Sequence, residues 1–122
     1  MKIYLTARWA RRDEMKQHRD AIAALGHTVT SRWLDEKDGT DPQIAAIIDI
    51  DDLRSSDAVI VFTEDSSVGY TTGGRHVELG FALAIHKPIC IVGPRENVFC
   101  HMNQIVFAES VNEAVNQLVK QF

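Results

Sequence analysis

The chain has 122 residues, 45% of them hydrophobic and 25% charged, with a formal net charge of -4. That is enough chain for one domain with a real core and too little for two. The acidic balance argues against a nucleic-acid polymer or a membrane surface as partner, and no apolar run is long enough to cross a bilayer.

The opening residues MKIYLTARW reach an arginine at position 8 without the apolar centre of a signal peptide, so a cytoplasmic location is expected. Within them, Lys2 to Thr6 reads as a short buried strand. Asp13 to Leu25 has helical spacing through Met15, Ile22 and Leu25, and Gly26 stops it. His27 to Trp33 alternates loosely with β-branched residues and predicts a second strand, followed by the turn-rich LDEKDGTDP. Asp41 and Pro42 are a good cap and first position for a helix whose apolar arc runs through Ile44, Ile47, Ile48 and Leu53. Ala58 to Thr63, AVIVFT, is a continuous apolar run, the pattern of a central strand covered on both faces. A loop from Glu64 to Gly74 leads into a helix ending near His86, and PICIVG gives another apolar strand. Ile105 to Ala108 predicts a short last strand, and Ser110 caps a final helix through Val111, Ala114, Val115 and Leu118.

This alternation predicts one α/β domain over residues 1–122, a doubly wound, mainly parallel, Rossmann-like (flavodoxin-like) sheet with helices on both faces. Ligands of such sheets sit beyond the carboxyl ends of the strands, which brings together Thr6 to Arg12, Glu64 to Arg75 and Gly93 to Met102. Neither GxGxxG after the first strand nor GxxxxGKS/T occurs, so a dehydrogenase or an NTPase is not indicated. Cys90 and Cys100 form no CxxC pair, and with His76, His86 and His101 they match no zinc spacing, so reduced thiols and no metal are expected.

The chemistry-bearing residues lie in two stretches. In TTGGRHVELGFALA, Gly73 and Gly74 permit a tight turn at a helix N-terminus, where amides and the helix dipole favour anions, with Arg75 beside them. Glu78 lies within about one turn of that end, so the dipole is expected to help keep it ionised. An ionised carboxylate facing a cleft suits attack on a cationic carbon, and equally an acid there can simply complement the dipole from a solvated face. In IIDIDDLRSSD, helical spacing places Asp51 within the isoleucine arc, Asp52 at its edge and Asp49 outside it. These acids are a solvated charge run or partners in catalysis. Cleaving a glycosidic bond needs one group to trap an oxocarbenium-like sugar and another to protonate the leaving group, and Glu78 with one of these aspartates fills both roles. Arg8, Arg11 and Arg12 follow the first strand and can grip phosphate as bidentate donors, or can be surface arginines that open a helix.

These residues, in this order, resemble the nucleoside 2-deoxyribosyltransferase family and the related hydrolases of deoxynucleoside 5′-monophosphates, over most of the chain. KIYL is similar to the family's first strand, whose tyrosine lies at the sugar site, which implies that position for Tyr4. DIDDLRSSDAVIVF fits the family pattern at Asp49, Leu53 and Asp57, implying that Asp49 is the acid near the sugar or base and that Asp57 is structural. VELGFALAIHKPI resembles the nucleophile helix, implying that Glu78 attacks the anomeric carbon. Trp9 corresponds to an aromatic residue of the transferases. Ser67 stands where transferases carry an acid for the base and monophosphate hydrolases a serine for phosphate, which hints at a phosphorylated substrate. YTTGGRH lengthens the loop that carries Ser67 and Asp65, the candidate recognition groups there. GPRENVFCHM resembles the segment that family dimers lend to the neighbouring site, which implies Asn97 or Cys100 near a partner's substrate and a homodimer or higher homo-oligomer. The resemblance implies a small nucleoside or nucleotide as substrate and no cofactor. The rival reading is a nucleotide-binding or sensing module that uses the Gly73-Gly74-Arg75 turn without chemistry. A glycine-rich turn before a helix acid also resembles the nucleotide phosphoribohydrolases, although their PGGxGT signature is absent.

Overall fold

Four short, mostly apolar segments of this chain bury more backbone than a loop can satisfy, and pairing them side by side, with a fifth and more exposed pair of residues at one edge, supplies the missing hydrogen bonds. In the computed structural model, which describes residues 1–122, the five are β1 (Lys2–Thr6), β2 (Thr28–Val29), β3 (Ala58–Phe62), β4 (Ile89–Val92) and β5 (Ile105–Ala108). All pairs are parallel and the order is β2-β1-β3-β4-β5, with β3 in the centre as its unbroken apolar run predicts. Tyr4 lies opposite Val59 and Thr6 opposite Val61. Every residue of β3 is buried, and each of its larger side chains contributes about 1.5–3 kcal/mol of transfer free energy.

Four helices connect the strands: α1 (Arg12–Ala24), α2 (Pro42–Ser55), α3 (Gly74–Ala84) and α4 (Val111–Val119). Helices α1 and α4 pack together on one face, while α2 and α3 pack together on the other. Asp41 caps α2 by accepting from the amides of Gln43 and Ile44, and Ser110 caps α4 by accepting from Glu113. Asp57 accepts from the amide of Lys2 at 2.7 Å, fixing the start of β1 against the start of β3. No helix is long and apolar enough to cross a membrane.

Two expectations are corrected. The second strand spans two residues rather than the whole of His27 to Trp33, because side chains take over the pairing with β1. Ser31 Oγ accepts from Leu5 N and donates to Leu5 O, and Trp33 Nε1 also donates to Leu5 O. The chain then turns through a short 3-10 segment, Arg32–Asp35. The buried side of α2 is not the isoleucine arc either. Ile44 and Ile47 are 55% and 53% exposed, whereas Asp52 and Leu53 are buried and Asp49 is partly so. Ala45, Asp49, Asp52, Leu53 and Ser56 recur at helical spacing, and that mostly polar stripe turns inward.

Candidate active site

The order β2-β1-β3 reverses direction at β1, and the crevice beyond the ends of β1 and β3 is where a ligand site forms in such a sheet. A cavity of about 190 Å³ opens there, lined among others by Arg8, Trp9, Trp33, Glu36, Asp49 and Glu78, with Gly73, Gly74 and Arg75 at the amino end of α3. Strand alternation sends Tyr4 and Thr6 to the same side of β1. There the Tyr4 hydroxyl donates to Glu78 Oε2, and Thr6 Oγ1 donates to Glu78 Oε1 at 2.8 Å. Both carboxylate oxygens of Glu78 are thereby held by hydroxyl donors, which fixes the plane of the group.

Electrostatics differ from the sequence expectation. Helix α3 begins at Gly74 and carries no acid in its first turn, so Glu78 lies beyond the reach of the strongest dipole effect. Burial pushes the Glu78 carboxyl above its ordinary value, and the hydrogen bonds from Tyr4 and Thr6 pull it back part of the way. The two hydroxyls, rather than the helix dipole, are what favours the ionised form, against a burial that leaves the carboxyl above its ordinary value. Asp49 has no such donors: its buried Oδ1 has no hydrogen-bond partner. Burial first, then the charges of Glu78, Glu36 and Asp52, push its carboxyl up to about 7. Tyr4 is fully buried, and burial together with Glu78 and Asp49 drives its hydroxyl far above the usual range, so it stays a proton donor in its hydrogen bond. The cavity thus joins an oriented carboxylate to a second carboxyl that holds a proton near neutral pH.

The walls are aromatic and arginine-braced. Trp9 and Trp33 lie tilted at 6.2 Å between centroids. The Arg12 guanidinium sits 4.3 Å over Trp9 and donates to the Glu36 carbonyl at 2.9 Å. Arg8 reaches the cavity rim; its buried Nε makes no hydrogen bond, although Glu64 Oε1 lies 3.5 Å away. Gly73 is left-handed at φ +80°, and no side chain caps the helix start beside the cavity. Arg75 is buried and its charge is already matched: it bonds both Glu96 oxygens and Thr71 Oγ1. Burial alone would raise the Glu96 carboxyl, but Arg75 brings it below the ordinary value. Arg11 likewise is spoken for, forking onto Glu14 at 2.9 and 2.8 Å and onto Glu64 at 2.7 Å.

Several candidates lie elsewhere. Asp65 and Ser67 are exposed and outside the cavity, and Asp65 instead accepts from the Ser67 amide in a 3-10 turn, Ser66–Val68. Neither lines the cavity that contains Glu78. Cys100 is fully buried in its own chain's core, so it has no surface to offer a partner's substrate. Asn97 caps the turn Val98–His101 through the Phe99 amide and meets His76 Nδ1 at 3.3 Å. Sequence reasoning missed Thr6, Trp33, Glu36 and Thr72. Thr6 was within reach, since it shares a strand face with Tyr4. Glu36 carried no local signal inside a polar connection.

No family model matches the sequence, and no curated protein matches it. Solved structures do. The CMP N-glycosidase BcmB of Clostridium botulinum is 18% identical with a TM-score of 0.65, over 100% of both chains. The 2-deoxyribosyltransferase of Bacillus psychrosaccharolyticus is 20% identical with a TM-score of 0.68, over 95% of this chain and 91% of that one. The 2-deoxyribosyltransferase of Leishmania mexicana is 17% identical with a TM-score of 0.74, over 98% and 97%. The chain therefore shares its whole fold with enzymes of the kind its motifs resemble.

Proposed function

We propose that the protein breaks the N-glycosidic bond of a nucleoside or its 5′-monophosphate, with Glu78 as nucleophile, and passes the sugar to another base or to water. The observation that carries this reading is the Glu78 carboxylate, held by Tyr4 and Thr6 at a cavity that also contains a protonatable Asp49. Glu78 attacks C1′ as the C1′–N bond breaks, and the Asp49 proton passes to the departing base, leaving a glycosyl ester and an Asp49 carboxylate. Water or a second base then attacks C1′; Asp49 takes the proton released and Glu78 leaves as carboxylate. Trp9 and Trp33 are surfaces on which a base packs. Arg8 and the uncapped amides at Gly73 and Gly74 are the groups available to a sugar or a 5′-phosphate. Similarity in fold to an N-glycosidase and two deoxyribosyltransferases supports the same chemistry.

The same reading has the protein act as a homo-oligomer. Ile44 and Ile47 of α2, Val77 of α3 and the nearby Val98 and Phe99 are large apolar side chains left exposed, and a second copy is the occupant that the family resemblance implies for them. Sedimentation at micromolar concentration is expected to return a multiple of 13.7 kDa.

Incubating the protein with deoxynucleosides and their 5′-monophosphates, with and without an acceptor base, is expected to release or exchange base. Glu78→Gln is expected to lower kcat by about 10³-fold or more without loss of folding. Tight nucleotide binding with no turnover in the wild type would replace the enzyme by a binding module.

A further inference from the structure

Glu36 is the one carboxylate at the cavity to which the chemistry above gives no task. It is half-buried at the carboxyl end of the turn Arg32–Asp35, and its carbonyl is held by the same Arg12 that stacks on Trp9. Its backbone is therefore fixed relative to the aromatic wall. Two other acids nearby, the buried Asp52 and the partly buried Glu96, are matched by Arg32 and Arg75, but no cation lies within ion-pair distance of Glu36. The two residues first expected to recognise a base or phosphate, Asp65 and Ser67, are outside the cavity.

Building on the glycosidic reading, we propose that Glu36 selects substrates whose base carries an exocyclic amino group, by accepting a hydrogen bond from it. An ionised carboxylate offers only acceptors, so it pairs with the 4-amino group of cytosine or the 6-amino group of adenine. Uracil and hypoxanthine place a carbonyl oxygen at the same edge. That brings two acceptors together and leaves a partly buried charge unmatched, the arrangement that rejects a substrate most strongly. The ring lies against Trp9 or Trp33 while its amino edge meets Glu36, and C1′ is left toward Glu78.

The test compares kcat/KM within matched pairs that differ only at this edge, deoxycytidine against deoxyuridine and deoxyadenosine against deoxyinosine, and the same pairs as 5′-monophosphates. The wild type is expected to favour the amino member by about tenfold or more. In Glu36→Gln, whose amide both donates and accepts, the ratio is expected to fall to within about threefold, through loss on the amino member and gain on the oxo member. The charge of Glu36 also acts on Asp49, but that effect is common to both members of a pair and cancels in the ratio. Equal turnover of both members by the wild type, or an equal loss on both in Glu36→Gln with an unchanged ratio, would overturn the assignment and leave the glycosidic reading intact. Base release from no member of any pair would overturn both.

Discussion

Two sets of buried charge lie within a few residues of each other and are treated in opposite ways. On the inner side of α2, Asp52 accepts from Arg32 N at 2.9 Å and Arg32 Nε at 2.8 Å, whereas Asp49, one turn earlier, has a buried oxygen with no partner. Around α3, Arg75 is forked onto Glu96, whereas Glu78, three residues on, meets only neutral hydroxyls. Burying a charge is costly unless it is paired, and a carboxyl left without a cation responds by holding its proton more tightly. The paired acids hold loops in place. The unpaired ones are left with protonation states that can change, and they share one cavity. Uncompensated charge is a better guide to chemistry here than charge itself.

The sharpest way to break this contrast is at Asp49. Asp49→Asn is expected to lower kcat by about 10²–10⁴-fold. In the wild type, kcat/KM is expected to fall as pH rises through about 7, where Asp49 loses its proton; the variant should lack that decline. A variant that keeps both rate and profile would remove Asp49 from the mechanism.

The paired set should answer in stability instead. Arg75→Met strands Glu96 and is expected to cost about 3 kcal/mol in urea unfolding, most of it recovered when Glu96→Met is added. A single variant as stable as the wild type would show that the ion pair is not what holds the loop.

Tyr4→Phe removes one of the two donors that lower the Glu78 carboxyl. Its expected effect is about tenfold on kcat, the worth of one hydrogen bond to a charged group. The acidic limb of the rate profile should move to higher pH, which a merely structural loss would not do.

The smallest effect is on stability at Asp49. The folded carboxyl sits near 7 and the ordinary value is 3.8, so between those values the folded state holds more protons and stability falls as pH rises. Asp49→Asn removes that slope. Its advantage over the wild type in thermal unfolding should be larger at pH 8 than at pH 5, on the order of 1 kcal/mol once solvent screening of this half-exposed group is allowed for. An advantage independent of pH would mean that Asp49 is not strained by burial.

Most of the strand and helix order was legible from local features. AVIVF is wholly apolar, Asp41-Pro42 and Ser110 are helix starts, and these signals need only near neighbours in the chain. The two-residue β2 was not legible, because Ser31 and Trp33 satisfy Leu5 with side chains, a contact between segments 26 and 28 residues apart. The inner face of α2 was misread for a related reason. Periodicity counts apolar residues, and Ile44 and Ile47 are the most apolar there, yet the stripe containing Asp49 and Asp52 is the one that faces Arg32 and the cavity.

By itself, then, the sequence determined the alternation of strands and helices, the caps at Asp41 and Ser110, and the acid-bearing segments that contain Asp49 and Glu78, since each is written within about a dozen residues. Only the tertiary structure decided that Tyr4 and Thr6 grip Glu78 from 74 and 72 residues away, that Arg75 is consumed by Glu96, that Cys100 and Ser67 stand apart from the cavity, and that Glu36 stands at it. Those outcomes depend on which charges find partners once the sheet closes, and no local pattern encodes a partner that arrives from the other end of the chain.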